Sequence, residues 1–183
     1  MNCLLYFRSL CLVILAVITL AVDARPVNYY PLSQRISSDD GLSQNVILSI
    51  ELDGYQRLWV GTQDGLNLLH NNEFIIFKRG QQENYISGTA ITDLVWDPKG
   101  QLWVASEAGL DVINTTTLET RTISLLDDSR GIHQLLLLGE SVFYLSAQKL
   151  YRYKVDVDES EKLELPSYVG FLSSMEAFDK QHI

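Results

Sequence analysis

The chain has 183 residues and carries 23 Asp and Glu against 14 Lys and Arg, a formal net charge of −9. That balance, with no basic stretch, argues against nucleic acid or anionic lipid headgroups as partners and bears on solubility more than on function. Both cysteines, Cys3 and Cys11, stand at the very start, which excludes a disulfide-stapled module or a thiolate metal site in the rest of the chain.

Residues 1–24 read as an export signal. Arg8 supplies the only positive charge, and Leu10 to Val22 is an apolar run of thirteen residues, short of the roughly 20 that span a bilayer. Val22-Asp23-Ala24 offers small residues at a cleavage site. The alternative is an uncleaved membrane anchor. Cys11 lies inside the apolar run with no small residue before it, which speaks against a lipoprotein, and a thiol-free remainder suits a periplasm. In residues 25–40, Tyr29, Tyr30, Leu32 and Ile36 are expected to form a lone strand before the turn at Ser37 to Gly41. It either locks a ring by completing a last sheet or is an ordinary edge strand.

Residues 41–183 repeat. Leu58-Trp59-Val60-Gly61-Thr62, followed by Gly65-Leu66-Asn67, returns as Leu102-Trp103-Val104-Ala105-Ser106, followed by Gly109-Leu110-Asp111, with the tryptophans 44 residues apart. A fixed period of this size marks a repeat architecture. Within the first copy, Val46, Leu48, Ile50 and Leu52 alternate over 45–52, which predicts a strand with one buried face. Asp53-Gly54 makes a turn, 58–62 a second strand, 66–69 a third beyond Gly65, and 74–78 a fourth beyond Asn71-Asn72. The second copy predicts strands over 91–97, 101–106, 109–113 and 118–123. A third, eroded copy places strands at 135–138, 141–146 and 149–153, with Phe143 in the Trp place. A fourth only begins: Met175 to Asp179 parallels Asp93 to Asp97. Four short antiparallel strands per 40-odd residues describe a propeller blade. The fold class is therefore all-β, a partial β-propeller with blades at about 41–84, 85–130 and 131–170 and a truncated one at 171–183.

The phrases Gly41-Leu42-Ser43-Gln44-Asn45-Val46, Leu58-Trp59-Val60-Gly61-Thr62 and Gly65-Leu66-Asn67 resemble the two-component regulator propeller repeat. The second copy matches at Asp97, Gly100 and Leu102-Trp103-Val104, with Ala105-Ser106 for Gly-Thr, and the first copy carries Gln56 where the repeat has Gly. The resemblance implies seven-bladed propellers, often in tandem, in the periplasmic sensory half of membrane-spanning signalling proteins. Their cytoplasmic half is usually a histidine kinase, often a hybrid with a response regulator, or in some bacteria a diguanylate cyclase; the ligands known are commonly carbohydrates. No kinase phosphate-accepting His motif and no Gly-rich nucleotide loop occurs in the sequence. At about 44 residues a blade the chain holds three to four blades. It reads as the N-terminal piece of a longer frame, truncated or frameshifted; the rival is a half-ring that self-associates through its open blade edges.

The expected role is an exported ligand-sensing segment; the alternatives are a non-functional gene remnant and a propeller lyase or hydrolase. Asp64 and Glu107 fall between second and third strands, on the side where propellers present ligand-facing loops. Loops leading into the first strands add Tyr85, Arg130 and His133. Together these form the candidate site for a small polar molecule or carbohydrate, by fold analogy. Trp59, Gly61, Gly65, Trp103 and Gly109 are structural repeat positions, the tryptophans packing between blades. His70, His133 and His182 show no ligand spacing, and the acidic cluster Asp156, Asp158, Glu159 and Glu161 lacks the Gly turn of a calcium loop. Asn114-Thr115-Thr116 reads as a plain turn. No catalytic residue, metal or cofactor is expected.

Overall fold

The computed structural model describes residues 35–126, 131–166 and 173–176. The export-signal stretch, the strand expected before Ile36, Arg130, His182 and Ala177 to Asp179 lie outside the described residues. The sheets belong to the compact unit Ile36–Ile183, and each is four-stranded, antiparallel and ordered as the chain runs. The first sheet comprises β1 (Ile47–Leu52), β2 (Leu58–Thr62), β3 (Gly65–His70) and β4 (Glu73–Phe77). The second comprises β5 (Ile91–Asp97), β6 (Gln101–Ser106), β7 (Leu110–Asn114) and β8 (Thr120–Thr122). The third comprises β9 (Ile132–Leu138), β10 (Ser141–Ser146), β11 (Lys149–Lys154) and β12 (Glu159–Leu163). A single 3-10 turn, Ser38–Asp40, precedes them among the described residues. The fold is all-β and its sheets are propeller blades.

Turn chemistry sets the hairpins. In the β5–β6 turn Gly100 takes a positive φ of 86° at no steric cost, and its counterpart in the β1–β2 turn, Gln56, is held at φ 60°, where a side chain is crowded. Asn71 and Asn72, at φ 51° and 66°, turn the chain between β3 and β4, as asparagine tolerates. Each sheet also opens with the same irregularity. The pairing slips between Ile47 and Ser49, between Ile91 and Asp93, and opposite Leu145 and Ser146. Leu48, Thr92 and His133 are thereby left as bulge residues at equivalent places.

The core lies between sheets, because each four-stranded sheet has two apolar faces and each face needs a neighbour. Between the first and second sheets, Trp59, Leu66, Leu68 and Phe77 meet Ile91, Leu94, Leu102, Val104 and Ile113. Between the second and third, Trp103, Ala105, Leu110 and Val112 meet Ile132, Leu135, Val142, Tyr144 and Tyr153. Both tryptophans are fully buried, Trp59 tilted against Phe77 at 5.6 Å and Trp103 against Tyr153 at 5.5 Å. A side chain of that size hides about 150–250 Å², worth at most roughly 4–6 kcal/mol. Close approach explains Gly61: a Cβ there would stand 2.8 Å from Ile91 Cγ2 and 3.1 Å from its carbonyl oxygen. Gly65 and Gly109 both have positive φ.

One expectation is corrected here. The strand over 45–52 does not bury its alternating apolar set: Val46, Leu48, Ile50 and Leu52 are all exposed, Ile50 at 65%. Alternation reports which face is apolar, and burial then depends on a second sheet. The neighbouring sheet packs on the other side of β1, whose Ser49 hydroxyl donates to Asp93 Oδ1 at 3.3 Å.

Polar links run along the first strands of the sheets. The Leu135 N–H donates to Asp93 Oδ2 at 2.7 Å, so Asp93 holds both adjacent sheets. Burial raises its pKa, against the hydrogen bonds from Leu135, Leu94 and Ser49. One step along, Gln134 donates to the Met175 carbonyl at 2.8 Å and accepts from the Met175 N–H at 2.6 Å. Met175 therefore lies beside β9 much as β9 lies beside β5.

Candidate functional site

Two ends of the strands differ in chemistry. One carries the β2–β3, β6–β7 and β10–β11 turns, the bulges and the chain leading into each first strand. Here Asp64 opens the β2–β3 turn, its N–H donating to Thr62 Oγ1 at 3.1 Å and its carboxylate pairing with Lys78 Nζ at 2.6 Å. That pair is about half exposed. Glu107, in the β6–β7 turn, accepts from the N–H groups of Thr89 and Ala90 at 2.7 and 2.8 Å. The Gly65 N–H in turn donates to the Thr89 carbonyl at 2.8 Å. The turns bearing Asp64 and Glu107 are thus joined through Thr89, and most of the Glu107 acceptor capacity is spent on backbone. The exposed bulge residue His133 stands at the same end.

Tyr85 is placed differently. It is exposed and bridges to Lys78. It also lines a cleft of about 350 Å³ with Asn84 and the β7–β8 turn, Thr117 to Thr120. That turn is at the far end of β7 from Glu107, so the structure brings Asp64 and Glu107 together and does not bring Tyr85 to them.

The loops at the first end are held by a recurring clamp that motif reading missed. The Ser43 N–H donates to Asn67 Oδ1 at 2.8 Å, while Asn67 Nδ2 donates to Ser43 Oγ at 2.8 Å and to the Val60 carbonyl at 3.1 Å. Forty-four residues on, the N–H and hydroxyl of Ser87 donate to Asp111 Oδ2 at 2.9 and 2.8 Å, and Thr122 donates to Oδ1 at 2.6 Å. Asn67 and Asp111 are fully buried, and a buried polar group must be paired. Their signal was present: a polar residue recurring at the repeat spacing inside an otherwise apolar strand. In the third sheet the place is taken by Tyr151, stacked on Tyr144 at 5.0 Å and 6°.

The opposite end carries the β1–β2 and β3–β4 turns. Asp53 is buried there and accepts from Trp59 Nε1 at 3.0 Å, Arg57 Nε at 2.8 Å and the N–H groups of Tyr55 and Arg57. Burial pushes its pKa up, and these four hydrogen bonds together outweigh it, leaving the carboxyl below its ordinary value. Arg57 also donates to the Thr115 carbonyl of the second sheet, and its guanidinium sits 4.9 Å over the Tyr55 ring. A cleft of about 620 Å³ opens here, lined by Tyr55, Arg57, Leu58, Leu69, His70 and Thr116 among others. The acidic turn after β11 is engaged by its neighbours: Asp158 accepts from Arg121 and Tyr153, and Glu161 from Arg152 and Lys154. Among the described residues no group of His, Cys, Asp and Glu is arranged to hold a metal, and no helix is long and apolar enough to cross a membrane.

Comparison with known proteins follows the same lines. Residues 41–64 and 85–108 match the family described as Two component regulator propeller. A stretch of 65 residues is 34% identical to Histidine kinase P4 of Formosa agariphila, covering 36% of this chain and 5% of that protein. The fold is similar to crystal structures of two extracellular domains from B. thetaiotaomicron proteins assigned to the hybrid two component systems. The first, BT3049, is 20% identical with a TM-score of 0.67, covering 77% of this chain and 22% of that one. The second, BT4673, is 20% identical with a TM-score of 0.61, covering 73% and 18%. The chain thus spans a small part of each relative, and the residues that match the two component regulator propeller family fall in two of its three sheets.

Proposed function

We propose that this chain is the ligand-sensing propeller segment of an exported bacterial signal-transduction receptor of the two-component type. The reading rests on the two matched repeats. It is supported by the end of the strands where the Asp64 and Glu107 turns are tied through Thr89 and the loops are clamped on Asn67 and Asp111. Pre-organised loops on a rigid sheet are where binding surfaces are built. The ligand class is a small polar molecule or carbohydrate, met by the Asp64–Lys78 pair and His133, with Arg130 as a further contact. Glu107 acts by holding Thr89 and Ala90 in place. No reaction is assigned to this segment; the signal is passed to an output module in the parent receptor.

The test is calorimetric titration of the chain with a panel of defined oligosaccharides. A hit whose affinity falls at least about tenfold in Asp64→Ala or Arg130→Ala, with the melting temperature unchanged, supports the site. A hit that both variants bind as well as the parent chain removes it.

A further inference from the structure

The junction between the first and second sheets differs from the next one at a single corner, at the strand ends opposite the Asp64 and Glu107 turns. In the first junction an arginine fills that corner. Arg57 Nε donates to Asp53 Oδ2 at 2.8 Å, and the guanidinium reaches across to the Thr115 carbonyl of the second sheet. The Trp59 indole N–H closes on the same carboxylate at 3.0 Å. In the second repeat Asp97 and Trp103 stand where Asp53 and Trp59 do, but Gln101 takes the place of the arginine. Its amide is shorter and neutral, and the network does not re-form. Asp97 accepts from the Lys99 N–H at 2.6 Å, while Gln101 Oε1 and Trp103 Nε1 are both buried without a hydrogen-bond partner among the described residues.

Beside Gln101 the second sheet holds a cleft of about 540 Å³, lined by Gln101, Val112, Asn114, Glu119, Thr120 and Arg121. That volume is in the range of small-molecule sites. Its lining is short of donors. Thr120 Oγ1, like Gln101 Oε1, is buried and unpartnered among the described residues. The exposed Glu119 carboxylate accepts from the Thr117 hydroxyl at 3.3 Å and meets no cation among the described residues. The charge of Arg121 is matched by Asp158 of the third sheet at 3.1 Å. The lining therefore carries one uncompensated negative charge beside two oxygens that lack a partner, and a buried acceptor is costly until a donor reaches it. A water molecule donates but leaves the charge unmatched. A planar cation with several N–H groups supplies both, and the Arg57 guanidinium does so in the equivalent corner of the first junction. We infer that this cleft is a binding site for a small alkylguanidine. Its guanidinium is held by the Glu119 carboxylate, with Gln101, turned about its free terminal torsion, and Thr120 taking further N–H groups, and Val112 supplies apolar surface for the alkyl part. The site is at the other strand end from the loops proposed for sensing and does not rest on that reading.

The test is titration of the full chain with N-methylguanidinium chloride, in a nonionic detergent that keeps the Leu10 to Val22 run dispersed. Tryptophan fluorescence reads it, since Trp103 and Gln101 share β6. The expected result is a change that saturates below about 20 mM, the range open to a ligand of so few atoms. Tetramethylammonium chloride, which has the charge and no N–H, should give no saturable change. Glu119→Gln removes the unmatched charge and should weaken binding at least about tenfold, with the melting temperature unchanged. Gln101→Arg places a guanidinium of the chain itself in the corner and should abolish binding. The inference is overturned by a titration that does not saturate, by an equal response to tetramethylammonium, or by either variant, folded, binding as the parent chain does. If Gln101→Arg loses its strand circular dichroism, Glu119→Gln decides alone, and undiminished binding there overturns the site.

Discussion

Trp59 and Trp103 hold equivalent positions and are equally buried, yet they differ in one atom's surroundings, and that difference is measurable. The Trp59 indole N–H donates to the buried Asp53 carboxylate at 3.0 Å. The Trp103 indole N–H is buried without a hydrogen-bond partner among the described residues. Substitution by phenylalanine removes similar volume from both junctions, so the packing costs nearly cancel in the comparison. At Trp59 it also removes a hydrogen bond to a charged acceptor, worth about 1.5–3 kcal/mol. At Trp103 it removes an unsatisfied donor whose desolvation already costs about 1–3 kcal/mol. Trp59→Phe is therefore expected to be the more destabilising by about 2 kcal/mol or more, which corresponds to roughly 4–8 °C in melting temperature for a domain of this size. Thermal and urea melts followed by far-ultraviolet circular dichroism read both. Equal costs, or a larger cost at Trp103, would refute the assignment of these hydrogen bonds. Trp103→Ala sets the scale, at about 3–5 kcal/mol, and an unchanged midpoint there would remove the residue from the core.

Other expectations follow from the same contacts. Gln56→Gly should stabilise the chain by up to about 1 kcal/mol, since the position is held at φ 60° and its counterpart is already Gly100; a lower denaturation midpoint would contradict this. Asp93 binds its proton more tightly when folded than its ordinary value of 3.8. Its contribution to stability is therefore present in acid and lost as pH rises from about 3.8 through the higher folded value. Asp93→Asn should flatten that part of the stability–pH curve, and a variant that still declines over it contradicts the reading. Asp53 acts in the opposite sense. Its folded value lies below 3.8, so its contribution is present above 3.8 and is lost as pH falls through the folded value.

The repeat was legible because it repeats: the Trp and Gly positions recur at one spacing, and three four-stranded sheets follow from it. Burial of β1 was not legible. Its alternation is the same whether or not a sheet covers it, and coverage depends on a neighbour that the pattern itself does not contain. The third sheet's first strand extends back to Ile132, ahead of the stretch expected at 135, because the bulge at His133 interrupts the alternation. At the candidate site, the turn positions of Asp64 and Glu107 could be read from spacing. Where their charges go could not. Glu107 is turned onto the backbone of Thr89 and Ala90, a contact set by how two loops meet in space. Tyr85 was grouped with them by its place in the chain, and the excursion over 79–84 carries it toward the β7–β8 turn.

The most direct test of the sensing claim is hydrogen–deuterium exchange of the chain with and without an oligosaccharide that binds it. The account expects slowed exchange at 62–65, 87–90 and 106–109, where the tied turns and loops meet, and no change at the other strand ends. Protection confined to 55–58, 70–71 and 115–116, around the cleft of about 620 Å³, would contradict it and place recognition at the opposite end of the sheets.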